Sequence, residues 1–395
     1  MAMTQQPDPE TAQPLSSVVV SSGRRLDYID SLRGFACLWV LLIHSYNPAK
    51  GQQMLHGAST FSPERLFFTF SSMGWLGVNL FLVLSGFCLF LPLVRRNNPR
   101  QISLNLRDFA WRRAHRILPP YYLALLVLVI LESVPMLHLT PRVWGDGKAV
   151  KDVLLHLFML HNFQPDTIDS INIVFWSLAL ECQLYIVFPL VVLSGRKIGM
   201  VPTLAVALAV SLACQFLLSR HVGLASPYVS TLYRSVPSRG FEFVAGMMAA
   251  ALVARPRTHQ ARFAAAFALI LLPFGVWSAL QSVGVVVLLS QTWGVIFACL
   301  LVLGSRVPES WFRHRGLTAL TFLGTISYSV YLVHAPLFNV IHPGRMHWHL
   351  SANETVVFDM IRLPLVIGLG YLFFLVAERP FMNRKKGIVQ RPGVP

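Results

Sequence analysis

Long apolar runs, each long enough or nearly long enough to cross a bilayer, recur at about 30–47, 74–94, 117–137, 174–193, 201–218, 240–254, 263–281, 284–303, 319–339 and 359–377. They predict an all-α, polytopic membrane protein with about ten transmembrane helices. One further apolar segment, Val153–Met159, is too short to cross and is expected at the interface or as a re-entrant piece. The polar ends set the domain limits. Residues 1–26 are rich in Pro, Gln, Ser and Thr and read as a disordered tail, residues 27–381 as one membrane domain, and residues 382–395 as a basic tail. The first residues lack the basic stretch and early apolar core of a cleavable signal, so the first span is expected to remain as an anchor.

Composition agrees with this pattern: 54% of the 395 residues are hydrophobic and only 13% are charged, with a mean hydropathy of +0.57. The net charge of +16 raises the question of nucleic acid, and the placement of the cations answers it. If the ten runs all cross, 22 of the 33 Lys and Arg residues fall in the terminal tails and the loops on their side of the membrane. That bias predicts both termini in the cytoplasm, in the inner membrane of a bacterium, and removes nucleic acid as a partner. Cys37, Cys88, Cys182, Cys214 and Cys299 lie in apolar runs without paired spacing, so neither disulfides nor a metal site is expected.

Against this apolar background a few polar residues stand out. Arg33 and His44 are eleven residues apart on the first span, which returns them to within roughly 20° of one helix face and separates them by about 16 Å. Ionisable groups within a bilayer are unfavourable and usually face a cavity or a partner, so a cation and a base at two depths read as functional. Glu181, in Trp176-Ser-Leu-Ala-Leu-Glu181, falls at a depth comparable with His44 and is expected to orient its ring. Arg239 and Glu242, three apart at the outer end of the sixth span, make an acceptor site together with Trp176, or a plain local ion pair. On the cytoplasmic side Arg113 and Arg116 share a face in an arginine-rich loop, and guanidinium forks suit phosphates; lipid headgroups would serve as well. Asn79, Ser85 and Gly86 read as close helix packing, and His334 as a packing histidine. Gly-rich nucleotide loops and HExxH are absent.

The order of these pieces resembles the acyltransferase-3 family of integral membrane O-acyltransferases. The shared features are Asp30-Ser-Leu-Arg33 with its gap to His44, Leu82-Val-Leu-Ser-Gly-Phe87, Arg113 and Arg116 ahead of Ile-Leu-Pro119, Trp176 to Glu181, Arg239-Gly-Phe-Glu242, Gly324 to Leu332 with His334, and Glu378-Arg-Pro380. Together they cover about residues 27–381. Leu184 departs from the aromatic usual before Tyr185, and no hydrolase-like domain is expected behind the membrane part. The resemblance implies ten helices, an acyl-CoA donor from the cytoplasm, acetyl-CoA among the candidates, and a carbohydrate or glycosylated hydroxyl as acceptor, with no permanently bound cofactor. Carried onto this chain, Arg33, Arg113 and Arg116 would hold the CoA phosphates. His44 would act as base, or carry the acyl group transiently, with Glu181 orienting it. Arg239 and Trp176 are candidate oxyanion donors. A transporter or flippase of lipid-linked or small substrates is the alternative, since intramembrane charges also line transport paths; a non-enzymatic scaffold is a third.

Overall fold

The computed structural model describes residues 27–45, 63–96, 102–133, 148–217, 226, 228–281, 286–342, 348 and 352–382. Among them there are helices and connecting turns and no strand. The helices are α1 (Asp27–Ser45), α2 (Pro63–Ser72), α3 (Leu76–Arg96), α4 (Leu106–Glu132), α5 (Ala149–Leu157), α6 (Phe175–Lys197), α7 (Met200–Leu217), α8 (Tyr228–Tyr233) and α9 (Val236–Ala254). They continue with α10 (Gln260–Gln281), α11 (Val286–Gly304), α12 (Arg315–Val340), α13 (Ala352–Phe373) and α14 (Arg379–Met382). Eight helical stretches among the described residues are long and apolar enough to cross a membrane, and α11 contributes a shorter apolar one, Leu288–Gly304. Each expected span coincides with a helix; α1 is the charged one. The tails and the side to which the termini point lie outside the described residues.

Two boundaries differ from the hydropathy pattern. α4 begins at Leu106, well before the apolar run, because Asn105 caps it by accepting the Asp108 amide at 3.1 Å. Arg113 and Arg116 therefore sit inside one continuous helix. α13 passes into a π-helical turn at Phe374–Glu378, which aims Glu378 inward.

α1 is packed between α3 and α12. Gly34 and Gly324 face each other across the α1–α12 contact: a Cβ on Gly34 would lie 1.9 Å from the Leu320 carbonyl oxygen, and one on Gly324 1.8 Å from that of Asp30. α3 and α9 meet the same way, with Gly86 on the Phe243 carbonyl and Gly246 on that of Val83, each 1.9 Å from a Cβ position. Without a hydrophobic driving force between helices in lipid, such backbone contact is what holds a bundle together. Buried Phe87, Phe90, Phe188 and Phe243 fill the space around these crossings.

The short α5 belongs to a cap, residues 148–174, that packs against α4, α6 and α12. Tyr121 and Tyr122 donate to the His156 and Leu157 carbonyls at 2.9 Å, and Asn172 donates to the Leu332 carbonyl at 2.9 Å. Inside the cap the His156 and His161 rings stack at 3.9 Å with 3° between planes, and Asp152 lies 3.1 Å from His156 Nδ1. Burial, with the charge of His156 adding to it, holds the His161 imidazole well below its ordinary range.

Two outcomes follow from this packing. Gly246→Ala should lower the thermal unfolding midpoint of the purified protein, overpacking being worth about 1–3 kcal/mol, whereas Gly368→Ala on the open side of α13 should leave it unchanged or raised. Below about pH 6.5 the unfolded chain binds a proton that buried His161 refuses, so the stability of the cap should fall as the pH drops. Hydrogen exchange of residues 148–174, corrected for intrinsic rates, should accelerate between pH 7.5 and 5.5, and less so in His161→Leu.

Candidate functional site

Arg33 projects from α1 into a cavity of about 60 Å³ between α1, α3, α6 and α12. Its polar lining is Arg33, Ser85, Ser177, Glu181, Ser327, Tyr328 and Tyr331; Val78, Phe81, Leu82, Leu84 and Leu178 supply apolar walls. Glu181 Oε1 accepts from Ser85 Oγ at 2.9 Å and from the Tyr185 hydroxyl one turn further along α6. Its charge also acts on Arg33. Glu181 thus faces the arginine end of the site.

Arg113 and Arg116 come to that same end from α4. The three guanidinium groups lie close enough for Arg33 and Arg113 to act on Arg116, with Glu378 as an opposing charge. Glu378 is held by Ser329 Oγ at 2.6 Å and also faces Arg33. All three arginines are half-buried, so a concentration of positive charge lines a recess in the bundle. Such a recess fits a polyanion, and planar forks fit phosphate oxygens.

His44 stands at the other end of α1, half-buried. Its Nδ1 is 2.8 Å from the Val40 carbonyl, one turn back on its own helix, which leaves Nε2 as the free acceptor. The ring meets His334 of α12 edge-on, centroids 5.0 Å apart at 75°. His334 is fully buried. Tyr331, 5.3 Å from the His334 ring, bonds Ser177 at 2.7 Å, and both line the cavity. Polar side chains thus line the cavity from the arginine end to Ser177 and Tyr331, and the His334 ring continues from Tyr331 to His44. The helix turn carrying His44 is pinned by Arg362 of α13, which donates to the Ser45 carbonyl and lies over Phe338 at 4.9 Å and Phe358 at 5.5 Å. A cation on the last carbonyls of a helix is the favourable end of its dipole.

The expectation that Glu181 orients the His44 ring is corrected by these contacts. The Val40 carbonyl performs that task, and Glu181 bonds Ser85 and Tyr185 instead. Equal depth did not bring them together because α6 turns Glu181 toward α3.

Arg239 and Glu242 are also placed differently from an acceptor site at the outer surface. They form a buried ion pair, Nε to Oε1 2.7 Å, 2% and 0% exposed, with Asn79 of α3 donating to the same oxygen at 3.3 Å. Arg239 lies over the Tyr233 ring at 5.2 Å, and Gly294 of α11 lets that helix approach Glu242. The pair ties α9 to α3 and lines no part of the cavity. Trp176, half-buried, carries Arg234 over its ring at 4.8 Å, and Arg234 reaches Asp169 at 2.6 Å. Among the described residues no group of three His, Cys, Asp or Glu side chains could hold a metal ion.

Sequence reasoning gave no individual role to Ser177, Tyr331, Glu378 or Arg362, and took His334 for packing. Tyr331 and His334 are three residues apart on α12, a spacing that puts them on one face and could have signalled a shared site.

A family model described as an acyltransferase domain, that of acyltransferase-3, matches residues 26–377. Among curated proteins the chain is 26% identical over 395 residues to YrhL of Bacillus subtilis, covering 91% of this chain and 55% of YrhL. It is 26% identical over 337 residues to the peptidoglycan O-acetyltransferase OatA of Listeria monocytogenes, covering 80% and 50%. It is 28% identical over 320 residues to the exopolysaccharide production protein ExoZ of Rhizobium meliloti, covering 79% and 91%. The chain thus spans about half the length of YrhL and OatA. No solved structure matches.

The buried pair generates a test of its own. Glu242→Gln leaves Arg239 without its counter-charge in the bundle, and breaking such a pair is expected to destabilise by about 3–5 kcal/mol. The thermal midpoint should fall, while ligand affinities of the fraction that stays folded should be unaltered.

Proposed function

Because the chain belongs to the acyltransferase-3 family, we propose that it is a membrane O-acyltransferase that moves an acyl group, acetyl in the simplest case, from acyl-CoA to a hydroxyl of a carbohydrate or glycosylated acceptor. The observation that carries this reading is the convergence of Arg33, Arg113 and Arg116 on one end of a polar path whose other end is His44. The CoA phosphates bind the three guanidinium groups from the cytoplasmic side, in the inner membrane of a bacterium with both termini cytoplasmic. The cation bias of the loops supports that orientation. The names of OatA and ExoZ support an envelope glycan as acceptor.

The pantetheine arm runs from the arginines past Glu181 and Ser177. At about 60 Å³ the cavity holds only a few water molecules, so donor entry parts the apolar walls at Phe81, Leu82 and Leu178. These side chains have no hydrogen bonds to break as they move. The acceptor hydroxyl comes from outside to His44, whose Nδ1–H stays on the Val40 carbonyl while Nε2 takes the proton. The alkoxide attacks the thioester carbonyl, a C–O bond forms and the C–S bond breaks. Asp30, Glu181 and Glu378 balance the arginines, so that the donor site remains occupied by counter-charge when CoA is absent.

The test uses the purified protein in liposomes with radiolabelled acetyl-CoA, measuring CoA binding and acyl transfer on the same sample. Arg116→Ala should weaken CoA binding about tenfold to a hundredfold, with Arg116→Lys recovering part of it. His44→Ala should lose about 10²–10⁴ in transfer rate and keep CoA affinity within a few-fold. A folded His44→Ala protein that transfers at the parental rate would overturn the assignment of the base. Solute movement without acyl transfer would favour the transporter.

A further inference from the structure

Resting on the acyltransferase reading, we infer that His334 carries the proton from His44 to the leaving thiolate, so that the reaction uses two histidines in series. The need for a second group is geometric. Acceptor and donor approach from opposite ends of α1, and the base that deprotonates the acceptor lies about 16 Å along the helix from Arg33. The thiolate, as it leaves, is on the donor side of the carbonyl, in the part of the cavity lined by Ser177 and Tyr331. His334 lies between that lining and the base, one ring contact from each, 5.3 Å from Tyr331 and 5.0 Å from His44.

The second observation is its hydrogen bonding. His334 Nδ1 is 2.8 Å from the Tyr331 carbonyl, so the ring is held with its Nδ1 proton on the backbone and a lone pair on Nε2. That Nε2 is buried without a partner. An unsatisfied buried acceptor is unfavourable, and an apolar ring of similar size would fill the same space against Phe338 and Tyr331 without that penalty. A vacant acceptor beside a base is the group a transferred proton requires.

The acceptor O–H proton passes to His44 Nε2, and the oxygen lone pair forms the C–O bond. The C–S bond breaks with its electrons on sulfur. The proton on His44 Nε2 moves to His334 Nε2 and from there to sulfur, which leaves as neutral CoA thiol. The proton reaches and leaves His334 at the same nitrogen, so its Nδ1–H remains on the Tyr331 carbonyl throughout. Both imidazoles end neutral, ready for the next turnover.

The experiment compares the parent with His334→Phe, which preserves volume, and His334→Gln, which keeps a polar end, using acetyl thioesters of graded thiols from N-acetylcysteamine to thiophenols beside acetyl-CoA. An alkyl thiolate needs a proton to leave well; an aryl thiolate does not. His334→Phe should slow transfer from acetyl-CoA and the alkyl thioesters about 100-fold or more and from the aryl thioesters less than about fivefold, steepening the dependence of rate on thiol acidity. His334→Gln should fall between the two. The ratio of rates on two donors is independent of how much of a variant is folded. Equal slowing on all donors, or none, would overturn the relay and leave the acyltransferase reading intact. Failure of the parent to transfer acyl groups from acetyl-CoA would end both.

Discussion

A helix bearing Asp30, Arg33 and His44 can occupy the middle of an apolar bundle only if its neighbours touch its backbone on one face and supply polar partners on another. Glycines meet the first condition, since Gly34 against Gly324 and Ala36 against Gly77 bring α12 and α3 to van der Waals distance of α1. The second is met by α4, α6 and the π turn after α13, which bring Arg113, Arg116, Glu181 and Glu378 to the Arg33 end. Every feature of the candidate site depends on this one helix being central.

The charges divide into two kinds. Arg239 and Glu242 satisfy one another directly and are sealed from solvent, which is the arrangement of an internal brace. The arginines around Arg33 are different, because three guanidinium groups and the carboxylates of Asp30, Glu181 and Glu378 surround a recess instead of closing into one pair. Charges spread round a recess in this way leave guanidinium groups that an entering anion can also engage. The contrast between a closed pair and an open cluster separates support from binding more sharply than residue type does, for both contain arginine and glutamate.

Packing also decides which polar groups can exchange partners. Glu181 is bonded by two hydroxyls, and Ser177 and Tyr331 by each other. The imidazoles of His44 and His334 are tied only through Nδ1, leaving their Nε2 atoms uncommitted. Groups that are already satisfied keep a site in shape, while uncommitted ones can enter a reaction. Arg362 contributes from a distance by holding the turn from which His44 projects.

Hydropathy alone located the long apolar helices, because in lipid each backbone must satisfy its own hydrogen bonds and a crossing segment must be apolar. The eleven-residue interval between Arg33 and His44 likewise carries its geometry in the chain, since a single helix converts spacing into direction and distance. The grouping of Arg113 and Arg116 was legible for the same reason. Contacts between helices were not. Glu181 was expected beside His44 at equal depth, yet rotation of α6 turns it to Ser85; Arg239 and Glu242 were expected at a surface, yet α3 and α11 close over them. The spacing of Tyr331 and His334 is in the chain, but the contacts of Tyr331 with Ser177 and of His334 with His44 have no signal until α1, α6 and α12 are brought together. Depth is set by position in one helix, whereas neighbourhood is set by how helices rotate and cross, and only the tertiary structure holds that information.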